Sequence, residues 1–309
     1  MTREMNVGYR AQHPKYGWYE VIAIPDTQHG IIRFDESGNE VLSSKYHILD
    51  GLVRDSKHPS FHQVGESHIH PVYGEYHIVE LVKGKKAVVE FSNTGYRCLN
   101  TIRNITTLSV KDPMLPIICG VGYIGIRRGK NSSPSKSPAY RTWLNMIKRC
   151  YDPSIHEGHP TYKDCLVCEE WHCFAMFEDW FNKTHRNEDW CLDKDILVKG
   201  NKIYSPETCC FVPNEINALF TKRQNHRGKT PIGVHYCKPQ RRFKECYKAF
   251  LTKGKENVYI GTFKTPEEAF NAYKVAKEAW IKEVAGKWKD KLDPMVYKAL
   301  YEYQVEITD

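Results

Sequence analysis

The sequence predicts an α+β multidomain protein. Two N-terminal small β-barrel repeats come first, then a zinc-stapled core of two strands and a helix, then a three-stranded sheet with a helix. Three observations predict this. A gapless internal repeat occupies the first third of the 309 residues, most of the eleven cysteines gather in the middle, and alternating apolar runs precede a capped helical pattern near the end.

The repeat aligns residues 13–55, opening HPKYGWYEV, with residues 70–112, opening HPVYGEYHI, at a constant offset of 57 and with eleven identities. Among them are His13/His70, Tyr16/Tyr73, Gly17/Gly74, Tyr19/Tyr76, Phe34/Phe91, Gly38/Gly95 and Asp55/Asp112. Duplication is the simplest source of such a pattern. Each copy reads as short strands broken by turns: WYEVIAI, GIIRF and EVLSS in the first, YHIVELV, KAVVEF and YRCLN in the second. The expectation is two strongly bent barrels, residues 1–56 and 57–126, which resemble Src-homology-three or Tudor modules. Such modules bind peptides or nucleic acid, so a spacer, a docking surface for a host protein and direct DNA contact are all open, and the near-neutral charge and tyrosines are compatible with docking.

Charge is concentrated elsewhere. Residues 221–290 hold 17 Lys/Arg against 7 Asp/Glu, whereas the whole chain carries a net +8. A localised basic excess interleaved with aromatics points to nucleic acid. The first residues, MTREMNVGYRAQHPKYG, have no signal-peptide pattern, and no run approaches the length of a membrane span. A soluble, cytoplasmic protein with no membrane partner is expected.

Residues 127–139, RRGKNSSPSKSPA, read as a linker. A helix follows over 140–151, with Trp143, Met146, Ile147 and Cys150 at helical spacing, and ends before Asp152-Pro153. A second helix over 170–183 is strongly aromatic, as a core helix would be. Between them Cys165-x2-Cys168 has the spacing of a zinc knuckle. Candidates for the remaining ligands are Cys150, Cys173, Cys191, Cys209, Cys210 and His172. Adjacent Cys209 and Cys210 in a strand point to opposite faces, so only one serves. The preferred set is Cys150, Cys165, Cys168 and Cys209, a structural Zn²⁺ site within a core spanning residues 140–227.

From residue 228 three polar–apolar alternating runs precede a helix that opens at Thr265-Pro266-Glu267-Glu268, with an N-cap, a proline at the first helical position and a capping-box glutamate. Phe270, Tyr273, Ala276 and Trp280 share one face of that helix. One face of the sheet is then left free, and Arg241, Arg242, Lys244, Lys248, Lys253 and Lys255 are the residues to line it. The GV opening, the GTF turn and the TPEEAFNAY helix resemble the ethylene-response-factor type of DNA-binding domain. That resemblance implies a sheet that enters the major groove of double-stranded DNA and reads it with Arg and Lys.

The segment LDKDILVKGNKIYSPETCCFVPNEIN, residues 192–217, outlines strand, turn, strand and helix. It resembles the HNH endonucleases of phages and self-splicing introns, with GNKI on their turn and FVPNEIN on their final block. The resemblance implies a ββα-metal fold in which Asp193 and Asn217 hold Mg²⁺ or Mn²⁺. It departs from the family at two positions. Lys194 stands where the general-base His belongs, and Thr208 stands near the middle Asn. A lysine with an ordinary pKa of about 10.4 is a poor base at neutral pH. Asp195 as a further metal ligand, Tyr204 or His185 as the base, and Lys194 as a phosphate clamp are the ways around this. Taken together, the expectation is a phage-type, metal-dependent HNH-like DNA endonuclease acting in a bacterial host. The alternative is a catalytically inactive DNA-binding regulator, or host-interaction protein, descended from one.

Overall fold

The computed structural model describes residues 4–58, 62–127, 133–185, 187, 189–220, 230–239 and 246–307. The chain forms two compact units, Met1–Asp112 and Pro113–Asp309.

The first unit holds the duplication. One copy runs β1 (Arg10–His13), β2 (Gly17–Ala23), β3 (His29–Phe34), β4 (Glu40–Ser44) and α1 (Lys45–Leu49). The other runs β5 (Ser67–His70), β6 (Gly74–Val82), β7 (Lys86–Phe91), β8 (Arg97–Thr101) and α2 (Ile102–Thr106). Period-two alternation puts Tyr19, Val21, Ile32 and Phe34 in one core and Tyr76, Ile78, Val89 and Phe91 in the other. Even the irregularities recur at the offset of 57, with β-bulges at Val21/Ala23 and at Ile78/Glu80.

The identical residues of the repeat have mechanical roles. His13 Nδ1 accepts the backbone N–H of Lys15 and Tyr16, and His70 Nδ1 accepts those of Val72 and Tyr73. These contacts close the turns in which Gly17 and Gly74 take φ of +70° and +79°, where a Cβ is disfavoured. The buried Tyr19 and Tyr76 hydroxyls donate to the Ile48 and Ile105 carbonyls, at 2.7 and 2.9 Å. Asp55 and Asp112, both buried, accept from Ser37 and Thr94 respectively.

The expected closed barrels are not formed. Each copy is an open four-stranded antiparallel meander, β1-β2-β3-β4 and β5-β6-β7-β8. The physical reason is that the short helix covers the core in place of a closing strand pair, with Ile48 and Val53 filling one core and Ile105 and Val110 the other.

The second unit begins at Pro113, earlier than the expected boundary near residue 127. Ile118, Val121 and Ile124 pack on its first core, and the Phe174 and Ala175 N–H groups bond the Tyr123 and Ile124 carbonyls. Arg127, expected in the linker, forks onto Glu178 with both N–O distances at 2.8 Å, and both side chains are buried. Residues 128–132 lie outside the described residues.

The first core of this unit is built on α3 (Pro138–Tyr151), α4 (Pro153–Gly158) and α5 (Phe174–Thr184). Trp143, Met146, Ile147 and Cys150 of α3 face Phe174, Phe177 and Phe181 of α5, and Trp171 is fully enclosed between them. The minimal strands β9 (Leu166–Val167) and β11 (Ile203–Tyr204) pair in parallel. β10 (Trp190–Asp193) pairs antiparallel with β12 (Cys210–Pro213), and α6 (Asn214–Asn217) follows.

The second core contains β13 (Val234–Cys237), β14 (Cys246–Lys253), β15 (Glu256–Phe263), α7 (Pro266–Trp288) and α8 (Pro294–Tyr301). It does not stop at residue 228. Ile196, Cys210, Val212 and Ile216 share it with Val234, Ala249, Phe270, Tyr273 and Ile281. β12 therefore lies between two cores, with Cys209 and Phe211 facing the first and Cys210 and Val212 the second. All four residues of β12 are buried for that reason.

Candidate nucleic-acid interface

The three-stranded antiparallel sheet β13-β14-β15 carries α7 on one face only. Cross-strand registers define the two faces. Val234, Ala249 and Gly261 lie in one row, as do Tyr236, Tyr247 and Phe263, on the helix side. Gly233 allows the close approach: a Cβ there would meet the Tyr273 ring of α7 at 2.1 Å, and its φ is +75°. Thr265 caps α7 by accepting the Glu268 N–H, as the capping residues predict. The Glu268 carboxylate reaches back to the Lys264 N–H, one residue before the cap. Gly261-Thr262-Phe263, expected as a turn, instead ends β15.

The opposite face presents His235, Lys248 and Thr262 in register, and beyond the bulge Phe250 beside Tyr259. Their rings form a chain, with His235 on Phe250 at 5.3 Å and Phe250 on Tyr259 at 5.5 Å between centroids. The Tyr259 hydroxyl and Thr262 Oγ1 lie 2.6 Å apart. This aromatic strip escaped sequence reasoning, which followed the cations. The alternation in β14 and β15 was the available signal.

Of the six cations expected here, Lys248 is on the open face and Lys255 sits exposed at the β14–β15 hairpin. Lys253 is turned to the helix side, with Nζ 4.3 Å from the Trp280 ring and 3.5 Å from Glu283. Its parity in β14 is opposite to that of Lys248, so it cannot share that face. Arg241, Arg242 and Lys244 lie outside the described residues.

The charged triplet is a turn. Asp193 ends β10, and its Oδ1 accepts the backbone N–H of Asp195 at 2.7 Å and of Ile196 at 2.8 Å. Burial raises its carboxyl above the usual carboxylate range, outweighing those two donors. Lys194 is buried, and its Nζ donates to both Asp195 oxygens, at 2.9 and 2.8 Å, and to the Asn201 carbonyl at 2.7 Å. Asn201 answers by donating to the Lys194 carbonyl at 2.9 Å and to the Ile203 carbonyl. The ammonium thus has acceptors for its three protons inside the loop.

Tyr204 is buried in the first core of the second unit, where burial pushes its hydroxyl far up, against the phenolate a base would need. His185 stacks on Phe181 at 4.2 Å and meets Phe211 edge-on. Asn217 closes α6 and is partly buried.

The four cysteines of the expected zinc set all reach the first core of the second unit. Burial raises all four thiols, Cys150 and Cys209 to about 12. They do not gather. Among the described residues, the group of three or more potential ligands with atoms mutually within 4.8 Å is His62, Glu66 and His68, in the other unit. Cys165 and Cys168 flank the two residues of β9, which pairs with β11.

No helix among the described residues is long and apolar enough to cross a membrane. Comparisons with protein-family models, with curated proteins and with solved structures find no match to this chain.

Proposed function

We propose that this chain binds double-stranded DNA through the open face of the β13-β14-β15 sheet. The observation that carries the reading is a sheet covered, among the described residues, on one side only, whose other side offers Lys248, His235 and an aromatic strip ending in Tyr259. It lies in the segment where positive charge is concentrated. Lysine supplies phosphate attraction, while Tyr259 and Thr262 offer hydroxyls to phosphate or base edges. The test is fluorescence anisotropy with labelled duplexes. Lys248→Ala and Tyr259→Ala are each expected to weaken binding by about 1–3 kcal/mol with the fold intact. Unchanged affinity in both would remove the sheet from the interface.

A second reading, metal-dependent cleavage of the bound DNA, is favoured by the order β10, β12, α6, with Asp193 at the end of the first strand and Asn217 at the end of the helix. Against it, Asp193 already serves two backbone N–H groups, and Lys194 is spent within its own loop. DNA binding without cleavage is therefore the reading put forward, with Asp193 and Lys194 as framework. Supercoiled-plasmid nicking with Mg²⁺ or Mn²⁺ separates the two. Asp193→Asn keeps an oxygen to cap the turn but removes the charge. Nicking by the wild type that this variant loses would establish the nuclease.

A further inference from the structure

The duplication supplies an internal control for one unusual cluster. In both copies the chain enters the sheet through the same turn. Gly8 has φ +89° and its N–H bonds the Val21 carbonyl, and Gly65 has φ +88° with its N–H on the Ile78 carbonyl. The next residue's N–H bonds back three residues, Tyr9 to Asn6 and Glu66 to Gln63. With the backbone held constant, three side chains change together. Met5, Tyr9 and Ala11 of the first copy, all packed on its core, become His62, Glu66 and His68 in the second.

Those three converge. Both Glu66 oxygens lie 3.0 Å from His62 Nδ1, and Oε1 also lies 3.0 Å from His68 Nε2. His68 Nε2 is shielded from solvent, and despite that distance its geometry makes no hydrogen bond. The ring is held by stacking on Tyr76 at 5.5 Å, its cross-strand partner. A trio serving only hydrogen bonding would be expected to align a solvent-shielded nitrogen with the carboxylate beside it.

We propose that His62, Glu66 and His68 bind a divalent transition metal of the zinc class. Two imidazole nitrogens and one carboxylate oxygen form a donor set that such ions favour. Tetrahedral bonds of about 2.0–2.1 Å place neighbouring donors about 3.3 Å apart, close to the separations of 3.0 Å seen here. Three protein ligands leave a position for water or a fourth donor. The site is independent of the DNA-binding reading, since it lies in the other unit.

The test uses the full chain titrated with Co²⁺ and followed by visible absorption, with Zn²⁺ competition and counted metal per chain. His62→Gln and Glu66→Gln are the chosen variants. His68 is left in place because its ring packs on buried Tyr76, and circular dichroism verifies the fold of both variants. The wild type is expected to show ligand-field bands without a thiolate charge-transfer band. Each variant is expected to lose at least about tenfold in affinity and one Zn²⁺ per chain. Affinity and spectrum unchanged in both folded variants would overturn the proposal, and a thiolate band that persists in them would overturn it and move the metal to the cysteines.

Discussion

Lys194 shows how a single side chain changes meaning once its partners are known. The HNH resemblance drawn from the sequence puts it at the position of that family's general base. In the structure it bridges Asp195 and the Asn201 carbonyl and holds the 193–204 loop together. Lys194→Ala takes the donor from the half-buried Asn201 carbonyl and frees the loop, so a loss of about 1–2 kcal/mol is expected in urea unfolding. DNA affinity should be unchanged, which a phosphate clamp would not allow. Lys277 on α7 presents the opposite case. Burial lowers its pKa from 10.5 to about 8, so the folded state resists protonation and the unfolded chain binds more protons between those values. Stability from this group is therefore full above pH 10.5 and lost as pH falls through 8. Lys277→Met is expected to stabilise at pH 7 by on the order of 1–3 kcal/mol, a gain that shrinks toward pH 10 in parallel urea titrations.

The meanders of the first unit are elements with a shared fastening. A buried tyrosine on the second strand of each copy donates to the carbonyl of the terminal helix, and burial raises both hydroxyls, Tyr19 to about 12. Tyr19→Phe and Tyr76→Phe keep the ring and leave the Ile48 or Ile105 carbonyl without that donor. Each is expected to cost about 1–2 kcal/mol, and the two to add in the double variant because they sit in separate cores. A similar logic applies to the Arg127–Glu178 fork. Both groups are buried, so Glu178→Ala takes the bidentate carboxylate from a buried guanidinium and is expected to cost about 3–5 kcal/mol in thermal or urea unfolding.

For the molecule as a whole, charge is the property that links the sequence to the proposed partner. The basic excess of residues 221–290 predicts DNA binding that weakens linearly as log affinity against log salt. Lys248→Ala should reduce that slope by about one if its ammonium neutralises a phosphate. A slope unchanged by this variant would leave Lys248 outside the phosphate contacts even if affinity fell. Two readings at this scale needed the tertiary structure. The strand-rich copies are open meanders, and the middle segment shares a core with the C-terminal sheet, because β12 is apolar on both of its faces.

By itself the sequence determined what is periodic and local. The offset of 57, the apolar face of α3, the opposed faces of Cys209 and Cys210, and the Thr265 cap are properties of spacing, and short-range sterics and hydrogen bonding enforce them. Tertiary structure decided what depends on convergence. Whether Cys150, Cys165, Cys168 and Cys209 meet, whether Lys194 faces solvent or its own loop, and whether His62, Glu66 and His68 touch are questions of distance between segments. Those distances follow from how the cores pack, and residue order along the chain does not encode them locally.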